Sequence, residues 1–512
     1  MQKLLSNIYC ETLVLFGLVL PLSEVLVKDS QKADLLQGYH LVYYVFLCTG
    51  GLLYLIWMYA TMVKDRTVVN IVKSYRGDEE TYNILKRRFR GPINRYGSFY
   101  LRLGAIAFGV GSMVYTCLEL GNAFEKYKTD CGHLSLAVPP AFRLALTIAQ
   151  MQFIFLNNQN MDLYSKPMLS RFGLMHLVAV NLCEWLNVII QETKHEIEHS
   201  SHIKINVSAQ EFFNDTNCTN EAMMSSVINN FSHFLFPCTI EYSLICAVIM
   251  VDMWLDVKKL PNKDIIAKLY PSNRMKANKA SHIFTVDCAN SHKGLLCGLI
   301  VLVLTVICQT LYFFYKNDHD EAAQLSIDVC EMVLYILASL ATVSASIQFR
   351  SARTSESIAA YNMDSCLILM AQFGVSLYSI FRLIGLSLVE AETTAGLCIE
   401  TASLVQSLSQ TVFIVHGQSL SIHTSDSRPA RQLITFLLPC NIALWTINTL
   451  VKNRASSDEL LINLFNQWAW TTVTRIAMPL SIFYRFHSTI CLFEMWKNAY
   501  KRSSHLVHHV DD

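Results

Sequence analysis

The chain has 512 residues, of which 52% are hydrophobic and only 16% are charged. Soluble domains usually carry about 25% charged residues, and the mean hydropathy of this chain is +0.32. With 41 Lys and Arg against 40 Asp and Glu, the net charge is +1, and no basic field favours a nucleic-acid partner. These values exclude a disordered chain, a coiled coil and a soluble multidomain enzyme, and they favour a polytopic membrane protein.

Twelve apolar segments follow one another along the chain, each close to the roughly 20 residues that a membrane-spanning helix needs. None alternates with the period of two expected of a barrel strand. The first span lacks a small-residue cleavage signature, which leaves a signal peptide as the weaker alternative. The sequence therefore predicts an all-α polytopic membrane protein with twelve transmembrane helices. The spans lie at about 9–27, 39–63, 98–120, 134–157, 170–192, 233–255, 294–315, 323–348, 363–387, 395–417, 430–451 and 469–496.

The charges of the loops predict the orientation of the chain. The loops at 64–97 and 256–293 are rich in Lys and Arg and lie on the same side if all twelve spans are present. The positive-inside rule makes that side cytosolic, so both termini are expected in the cytosol. The loop at 193–232 then faces outward, and its sequons predict a plasma-membrane glycoprotein. The sequons start at Asn206, Asn214, Asn217 and Asn230.

An internal duplication divides the chain into halves. The segment Pro237–Tyr242 recurs at 479–484 with an offset of 242, and Asp252-Met-Trp recurs as Glu494-Met-Trp at the same offset. Spans four and five recur as spans ten and eleven with an offset of 260. Because each repeat has an even number of spans, the two halves should be parallel. We therefore expect two parallel pseudo-symmetric six-helix bundles. They occupy 1–255 and 294–500, with a cytosolic linker at 256–293 and a cytosolic tail at 501–512.

The duplication also selects two sets of polar residues within the spans. The N-terminal triad is Gln150, Asn181 and Tyr242, and the C-terminal triad is Gln410, Asn441 and Tyr484. Polar groups in hydrocarbon are costly without partners, so each set should converge inside its bundle. Two interpretations stay open from the residues alone. The triads are either interhelical hydrogen bonds, worth about 1 kcal/mol each, or polar constrictions narrow enough to stop hydrated ions.

Ionisable side chains inside spans are functional candidates by default. Glu241 corresponds by repeat to Phe483, which lies one helical turn from His487. If spans six and twelve meet across the pseudo-two-fold axis, Glu241 and His487 could approach one another at the seam between the halves. A carboxylate and an imidazole are suited to passing protons, although a neutral histidine bonded to a neighbouring helix is the simpler interpretation of His487 alone. The remaining candidates are Glu184, Glu400, His416 and Arg485.

One motif raises the question of an enzyme. His195-Glu-Ile-Glu-His199, with His202 three residues later, satisfies the H-E-x-x-H pattern of zinc proteases. It leads into the sequon-rich loop, without a third-ligand segment or a protease core. We therefore favour a coincidental histidine-rich loop, with an inhibitory zinc site at these three histidines as a second hypothesis. No phosphate-binding loop or nucleophile elbow accompanies it, so neither an enzyme nor a cofactor is expected.

Five segments within the spans carry specific motifs. They are Phe108-Gly-Val-Gly, Gln150-x-x-Phe-Ile, Arg171–Trp185, Phe236–Ile245 and Tyr484-Arg-Phe-His-Ser. These segments resemble the otopetrin family of proton-selective channels. The resemblance implies twelve helices in two six-helix halves, a homodimer, and proton influx evoked by extracellular acid. It also implies that the two triads form the constrictions and that Glu241 and His487 lie at the seam, with membrane lipids and a sterol as partners.

A second class of protein also fits the duplication. A proton-coupled secondary transporter of a small solute can have twelve spans in two parallel halves. The loop between spans two and three has Asp65-Arg66 but lacks the surrounding glycine pattern of the major facilitator group. The proton channel is therefore the favoured prediction, and the transporter is the alternative.

Overall fold

The structure is a computed structural model in which twelve long helices account for most of the described chain. Its described residues are 2–27, 30–74, 99–129, 133–156, 166–208, 223–257, 292–316, 320–351, 354–356, 363–388, 394–418, 420–422, 430–452 and 459–499. Most of the linker at 256–293 and the whole tail at 501–512 therefore lie outside the described residues.

Each of the twelve helices contains a segment long and apolar enough to cross a membrane. The twelve predicted spans are therefore confirmed. The helices are α1 Gln2–Leu26, α2 Ser30–Ser74, α3 Phe99–Lys128, α4 Val138–Leu156, α5 Pro167–Ser208, α6 Met223–Asp256, α7 His292–Tyr315, α8 Asp320–Ser351, α9 Met363–Leu388, α10 Thr394–Gln418, α11 Arg431–Ile447 and α12 Gln467–Ala499.

Short elements extend or connect these helices. A 3-10 turn, Leu134–Ala137, leads into α4, and a π turn, Asn448–Lys452, extends α11. A short helix, Glu459–Phe465, precedes α12. Two strands of three residues also pair antiparallel, β1 Thr354–Glu356 after α8 and β2 Leu420–Ile422 after α10. The all-α prediction thus holds for the spans, and this strand pair is an addition that the sequence did not predict.

The chain forms two compact units, an N-terminal unit at Met1–Ala267 and a C-terminal unit at Lys268–Asp512. Within the N-terminal unit, α1 packs on α2 and α5, α2 on α4 and α5, α3 on α4 and α6, and α5 on α6. Within the C-terminal unit, α7 packs on α8 and α11, α8 on α10 and α11, α9 on α10 and α12, and α11 on α12. Every pairing in the first unit thus has its counterpart six helices later, and α10 also contacts α12.

The most buried helices carry two of the three residues of each polar triad. The apolar windows of α5, α6, α11 and α12 are mostly buried, whereas those of α1 and α7 are mostly exposed, as expected of helices that face lipid. Close approach of α7 to α11 requires a glycine at Gly294, because a Cβ atom there would overlap the backbone carbonyl of Gln432. Small residues at such crossings let membrane helices pack closely.

Candidate functional site

The N-terminal triad is assembled by α4, α5 and α6. Gln150 Nε2 donates to Asn181 Oδ1 at 2.9 Å, and Asn181 Nδ2 donates back to Gln150 Oε1 at 3.3 Å. The same Asn181 amide also donates to the Leu177 carbonyl at 2.8 Å, which fixes its orientation. The Tyr242 hydroxyl donates to the Thr147 carbonyl at 3.2 Å, one turn before Gln150. All three triad side chains are buried. The Tyr242 hydroxyl reaches α4 at a backbone carbonyl and not at the side chain of Gln150.

A chain of charged groups, most of them buried, adjoins this triad. The Arg143 guanidinium donates to Glu119 Oε2 at 2.5 Å and forms a second ion pair with Glu184. The other oxygen of Glu184 accepts a hydrogen bond of 2.6 Å from the Tyr44 hydroxyl. Two carboxylates therefore share one guanidinium, an arrangement that stabilises all three groups in a medium of low dielectric constant.

A small cavity connects the N-terminal triad with these charges. Its volume is about 20 Å³, which exceeds the roughly 10–15 Å³ that one water molecule needs. Polar atoms face it from several helices, so a water molecule there would find hydrogen-bond partners. Its lining includes Tyr44, Arg143, Gln150, Asn181, Glu184 and Tyr242.

The C-terminal triad repeats the hydrogen bonds of the N-terminal triad, partner for partner. Gln410 Nε2 donates to Asn441 Oδ1 at 2.9 Å, and Asn441 Nδ2 donates back at 3.2 Å. The Asn441 amide also donates to the Leu437 carbonyl at 2.9 Å. The Tyr484 hydroxyl donates to the Ser407 carbonyl at 2.7 Å. Leu437 and Ser407 follow Leu177 and Thr147 by the same offset of 260 that separates the glutamines.

An arginine extends the C-terminal triad. Arg485 Nη1 donates to Gln406 Oε1 at 2.5 Å, and Gln406 Nε2 donates to Gln410 Oε1 at 2.9 Å. The guanidinium also lies 5.1 Å from the ring centroid of Tyr484 and 5.5 Å from that of Tyr335. Arg485 is only 1% exposed, so its charge is held inside the bundle beside the triad.

Two cations near the C-terminal triad form ion pairs with two carboxylates. Lys452 Nζ lies 2.5 Å from Glu331 and 3.7 Å from Glu400, and Arg382 lies 3.4 Å from Glu400. Lys452 is the last residue of the π turn, an element that often occurs at functional sites. A cavity of about 10 Å³ is lined by Lys452, Glu400 and Arg485, and no member of the C-terminal triad lines it.

The surroundings of the two tyrosines differ. The Thr411 hydroxyl lies 3.1 Å from the Tyr484 hydroxyl and 3.0 Å from Gln372 Oε1, so its single hydrogen is shared. By the offset of 260 the counterpart of Thr411 is Met151, which has no hydroxyl. Gly109 of α3 also lies beside Tyr242, and an added Cβ there would lie 3.0 Å from the tyrosine ring and 2.5 Å from the Met151 sulfur. Gly109 therefore permits the contact of α3 with α6 at the N-terminal triad.

The two seam candidates belong to different units. Glu241 is fully buried on α6, and neither of its carboxylate oxygens hydrogen-bonds to a described residue. His487 is fully buried on α12, where its Nε2 lies 3.0 Å from the Asp364 carbonyl and its ring stacks on Phe483. The Cys491 sulfur lies 3.5 Å from the same nitrogen.

The side chains of several other predicted sites lie outside the described part of the structure. These are the side chains of the three histidines, His195, His199 and His202, and the four sequon asparagines, Asn206, Asn214, Asn217 and Asn230. Among the side chains that the structure describes, no group of three or more His, Cys, Asp or Glu residues could hold a metal ion.

Sequence reasoning missed several charged residues that adjoin the triads. Arg143 and Glu331 lie within predicted spans, and the rule that selects ionisable groups inside spans would have found them. Their partners could not be found in this way, because no periodic pattern in the sequence links α4 to α3 or α8 to α11. Gln406 and Gln372 gave no signal either, since a single polar residue in a span usually makes a local hydrogen bond.

Twelve spanning helices, with buried charges beside two polar triads, define a multi-pass membrane protein of the channel and transporter class. The family model described as Otopetrin matches residues 100–215 and 198–486. The chain is 34% identical to the proton channel OtopLc of Drosophila melanogaster over an alignment of 566 residues. This alignment covers 98% of this chain and 35% of OtopLc. The chain therefore belongs to the otopetrin family.

Other relatives agree with this assignment. The proton channel OTOP1 of Danio rerio is 23% identical over 82% of this chain and 82% of its own length. The proton channel OTOP2 of Mus musculus is 19% identical over 78% of this chain and 82% of its own length. The chain spans about a third of the length of OtopLc but most of the length of the vertebrate relatives. These relatives are named as ion channels, so the family is one of channels rather than enzymes.

Proposed function

We propose that this protein is a proton-selective channel that carries protons into the cell in response to extracellular acid. The observation that supports the proposal most directly is the reciprocal Gln–Asn amide pair in each unit, with bonds of 2.9 Å. Such a pair leaves no passage for a hydrated ion. A proton needs only a continuous chain of hydrogen-bonding groups and waters, which the hydroxyls, amides and the cavity at the N-terminal triad can supply.

The direction of flow follows from the proposed orientation. With the loop at 193–232 outside, the residues of α5 beyond Asn181 lie toward the extracellular side. Glu184 is three residues beyond Asn181, which places it about 4.5 Å nearer that side. A proton arriving from outside would therefore meet Glu184 and its cavity before the amide pair, and acidification would raise the occupancy of this path.

Whole-cell recording in sodium-free solution tests the proposal. We expect an inward current evoked by extracellular acid, with a reversal potential that shifts by about 59 mV for each unit of pH difference, the value for a single transferred charge. A reversal potential that follows sodium or chloride instead would contradict proton selectivity. Cells that express surface-labelled protein but give no current at any external pH would contradict the channel.

A proton-coupled secondary transporter is the alternative, because the matching helix pairings of the two units fit a transporter with two parallel halves as well as a channel. In a transporter, the substrate binds near the middle of the membrane between repeats. The same recordings separate the two classes. A current that appears only when a small solute is added on one side would establish the transporter, whereas a current in simple buffered salt solution supports the channel.

We further propose the features that accompany this function. The two bundles are related by parallel pseudo-symmetry, the termini are cytosolic, and two chains form a homodimer in the plasma membrane with lipids, including a sterol, around it. Glu241 and His487 form a second candidate route at the seam. The outer loop carries glycans at Asn206, Asn214, Asn217 and Asn230. Inhibitory zinc, if it binds, would use His195, His199 and His202.

A further inference from the structure

We propose that His40, Glu24 and Lys194 form an extracellular proton-binding site that sets the pH at which the channel opens. We call these three residues the outer cluster. This inference rests on the proposed function, because it concerns the regulation of the acid-evoked current. It assigns no route to the protons, since a site that opens the channel acts on whichever path conducts.

The outer cluster joins three helices where they reach the extracellular side in the proposed orientation. Glu24 lies at the end of α1, His40 lies near the start of the apolar span of α2, and Lys194 is the last residue of the apolar span of α5. The side chains of His40 and Lys194 are 14% and 35% exposed, whereas that of Glu24 is 7% exposed. External protons can therefore reach the imidazole, while the carboxylate beside it is mostly buried.

The carboxylate of Glu24 lies between two basic groups and is held loosely by both. Its Oε2 lies 3.4 Å from His40 Nδ1, and its Oε1 lies 3.5 Å from Lys194 Nζ. Oε2 is buried and hydrogen-bonds to no described residue, which is costly for a carboxylate oxygen. A neutral imidazole has a hydrogen on one nitrogen only, whereas the protonated ring has one on each. Protonation of His40 therefore gives Glu24 a charged donor, and such bonds are short and strong.

The two neighbours of His40 act on its protonation in opposite directions. Histidine is the side chain whose charge ordinarily changes between pH 5 and 8. A nearby carboxylate favours the charged form of an imidazole, and a nearby cation disfavours it. External acid thus changes the outer cluster from one cation and one anion to two cations that share one carboxylate.

Other charged groups lie on the helices that pack against α2, which are α1, α4 and α5. On α4 the described group is Arg143, which is ion-paired with Glu184 of α5 deeper in the bundle. Glu192 of α5 interacts with a carboxylate of α3 and is separated from Lys194 by about 200° around the helix. None of these groups changes in the variants below, so the direction of each expected shift depends on the outer cluster.

One helical turn connects the outer cluster with the N-terminal triad. Tyr44 follows His40 by four residues on α2, so the two side chains share a face of the helix. The Tyr44 hydroxyl donates to Glu184 at 2.6 Å, and both residues line the cavity beside Asn181. Closure of the bond between His40 and Glu24 draws this face of α2 toward α1 and changes the position of Tyr44 at the cavity.

The first experiment changes the charge of His40 and measures the external pH that gives half of the maximal proton conductance. His40→Gln cannot become charged, so we expect this midpoint to fall by at least about one pH unit. His40→Lys is charged already at neutral pH and should conduct there at a negative membrane potential. His133→Gln is the matched control, because His133 is an exposed histidine on the same side whose side chain does not cap its turn. Its midpoint should equal that of the wild type.

The second experiment tests the opposite actions of the two neighbours. Glu24→Gln keeps the shape of the side chain but removes the charge that favours the imidazolium, so the midpoint should fall by about one pH unit. Lys194→Met removes the competing cation and should raise the midpoint by about half a unit, since its exposed charge is partly screened. In the His40→Gln background neither change should shift the midpoint further, because no imidazole is left to respond. Surface labelling of each variant shows that the protein is folded.

The outcomes separate this regulation from the channel function. An unchanged midpoint in His40→Gln, shifts of Glu24→Gln and Lys194→Met in the same direction, or shifts that persist without His40 would each overturn the proposed site. If the current of such variants still reverses at the proton potential, the proposed function stands without this site. A wild-type protein that gives no acid-evoked current would instead reject the proposed function, and the site with it.

Discussion

The two units place the same four hydrogen bonds in different electrostatic surroundings. In each unit, glutamine and asparagine bond reciprocally, the asparagine binds a carbonyl on its own helix, and tyrosine binds a carbonyl one turn before the glutamine. The N-terminal triad opens onto a water-sized cavity beside paired carboxylates, whereas the C-terminal triad is bonded to Gln406, which in turn accepts a hydrogen bond from Arg485. The triad is thus a shared framework, and the charged residues around it distinguish the two units.

The largest effect should come from removing the cation that joins the N-terminal carboxylates. Arg143→Met leaves the buried Glu184 and the partly exposed Glu119 without their cation, and breaking a buried ion pair in this way costs about 3–5 kcal/mol. We expect most of the variant protein to be lost from the surface, as measured by biotinylation. Arg485→Met should be milder, because Arg485 donates to the neutral side chain of Gln406, whereas Arg143 is ion-paired with two carboxylates.

The same two variants also test the contrast between an arginine that is ion-paired with carboxylates and one that is bonded to a neutral amide. If Arg485→Met destabilises the protein as strongly as Arg143→Met, Arg485 is as tightly held as an ion-paired arginine and the contrast between the units fails. Arg171→Met is a suitable control, because the Arg171 side chain reaches an exposed position where it donates to Gln2 at 2.9 Å. It should express at the level of the wild type.

The next effect concerns the two tyrosines. Tyr242→Phe removes a hydroxyl from the lining of the N-terminal cavity, so we expect the acid-evoked current to fall by about tenfold if one bond of about 1.4 kcal/mol is lost from the path. Tyr484→Phe removes the bond to the Ser407 carbonyl and should cost about 1 kcal/mol of stability, with a much smaller change in current. Recordings and thermal unfolding of both variants measure the two effects.

The reverse result would contradict a proton path through the cavity at the N-terminal triad. If Tyr484→Phe lowers the current as much as Tyr242→Phe, both triads conduct. If Tyr242→Phe changes only the unfolding temperature, its hydroxyl has a structural role, and the cavity is not part of the path.

The sequence predicted the spans and the triads because each depends on a pattern within the chain. Apolar length fixes the helices, and the repeat pairs Gln150 with Gln410 and Asn181 with Asn441. The surroundings of the triads depend on contacts between helices that no period encodes. The ion pair of Arg143 with Glu119 joins α4 to α3, and the partner of Tyr242 is a backbone carbonyl, which every residue has. Placement in three dimensions was therefore required to separate the two units.

A smaller effect is expected at the contact that positions Tyr242. In Gly109→Ala, the new methyl group would lie 3.0 Å from the tyrosine ring and 2.5 Å from the Met151 sulfur, so the methionine must move and the ring must shift. We expect a loss of current of about threefold, below the effect of losing the hydroxyl itself. Gly38→Ala is the matched control, because an added Cβ there meets nothing within 4 Å. Equal currents in both variants would show that the ring position does not matter.

The smallest effect should come from the seam, and it bears on the comparison because a seam route would make the difference between the triads irrelevant. Glu241 and Tyr242 are separated by about 100° around α6, so Glu241 does not line the N-terminal triad. Glu241→Gln keeps the shape of the side chain and removes its ability to carry charge. We expect the current per surface channel to fall by no more than about twofold, below the effect at any residue that touches the path. His487→Ala should behave alike if its imidazole mainly binds the Asp364 carbonyl. A loss of current in Glu241→Gln larger than that in Tyr242→Phe, with normal surface labelling, would move the proton path from the N-terminal triad to the seam.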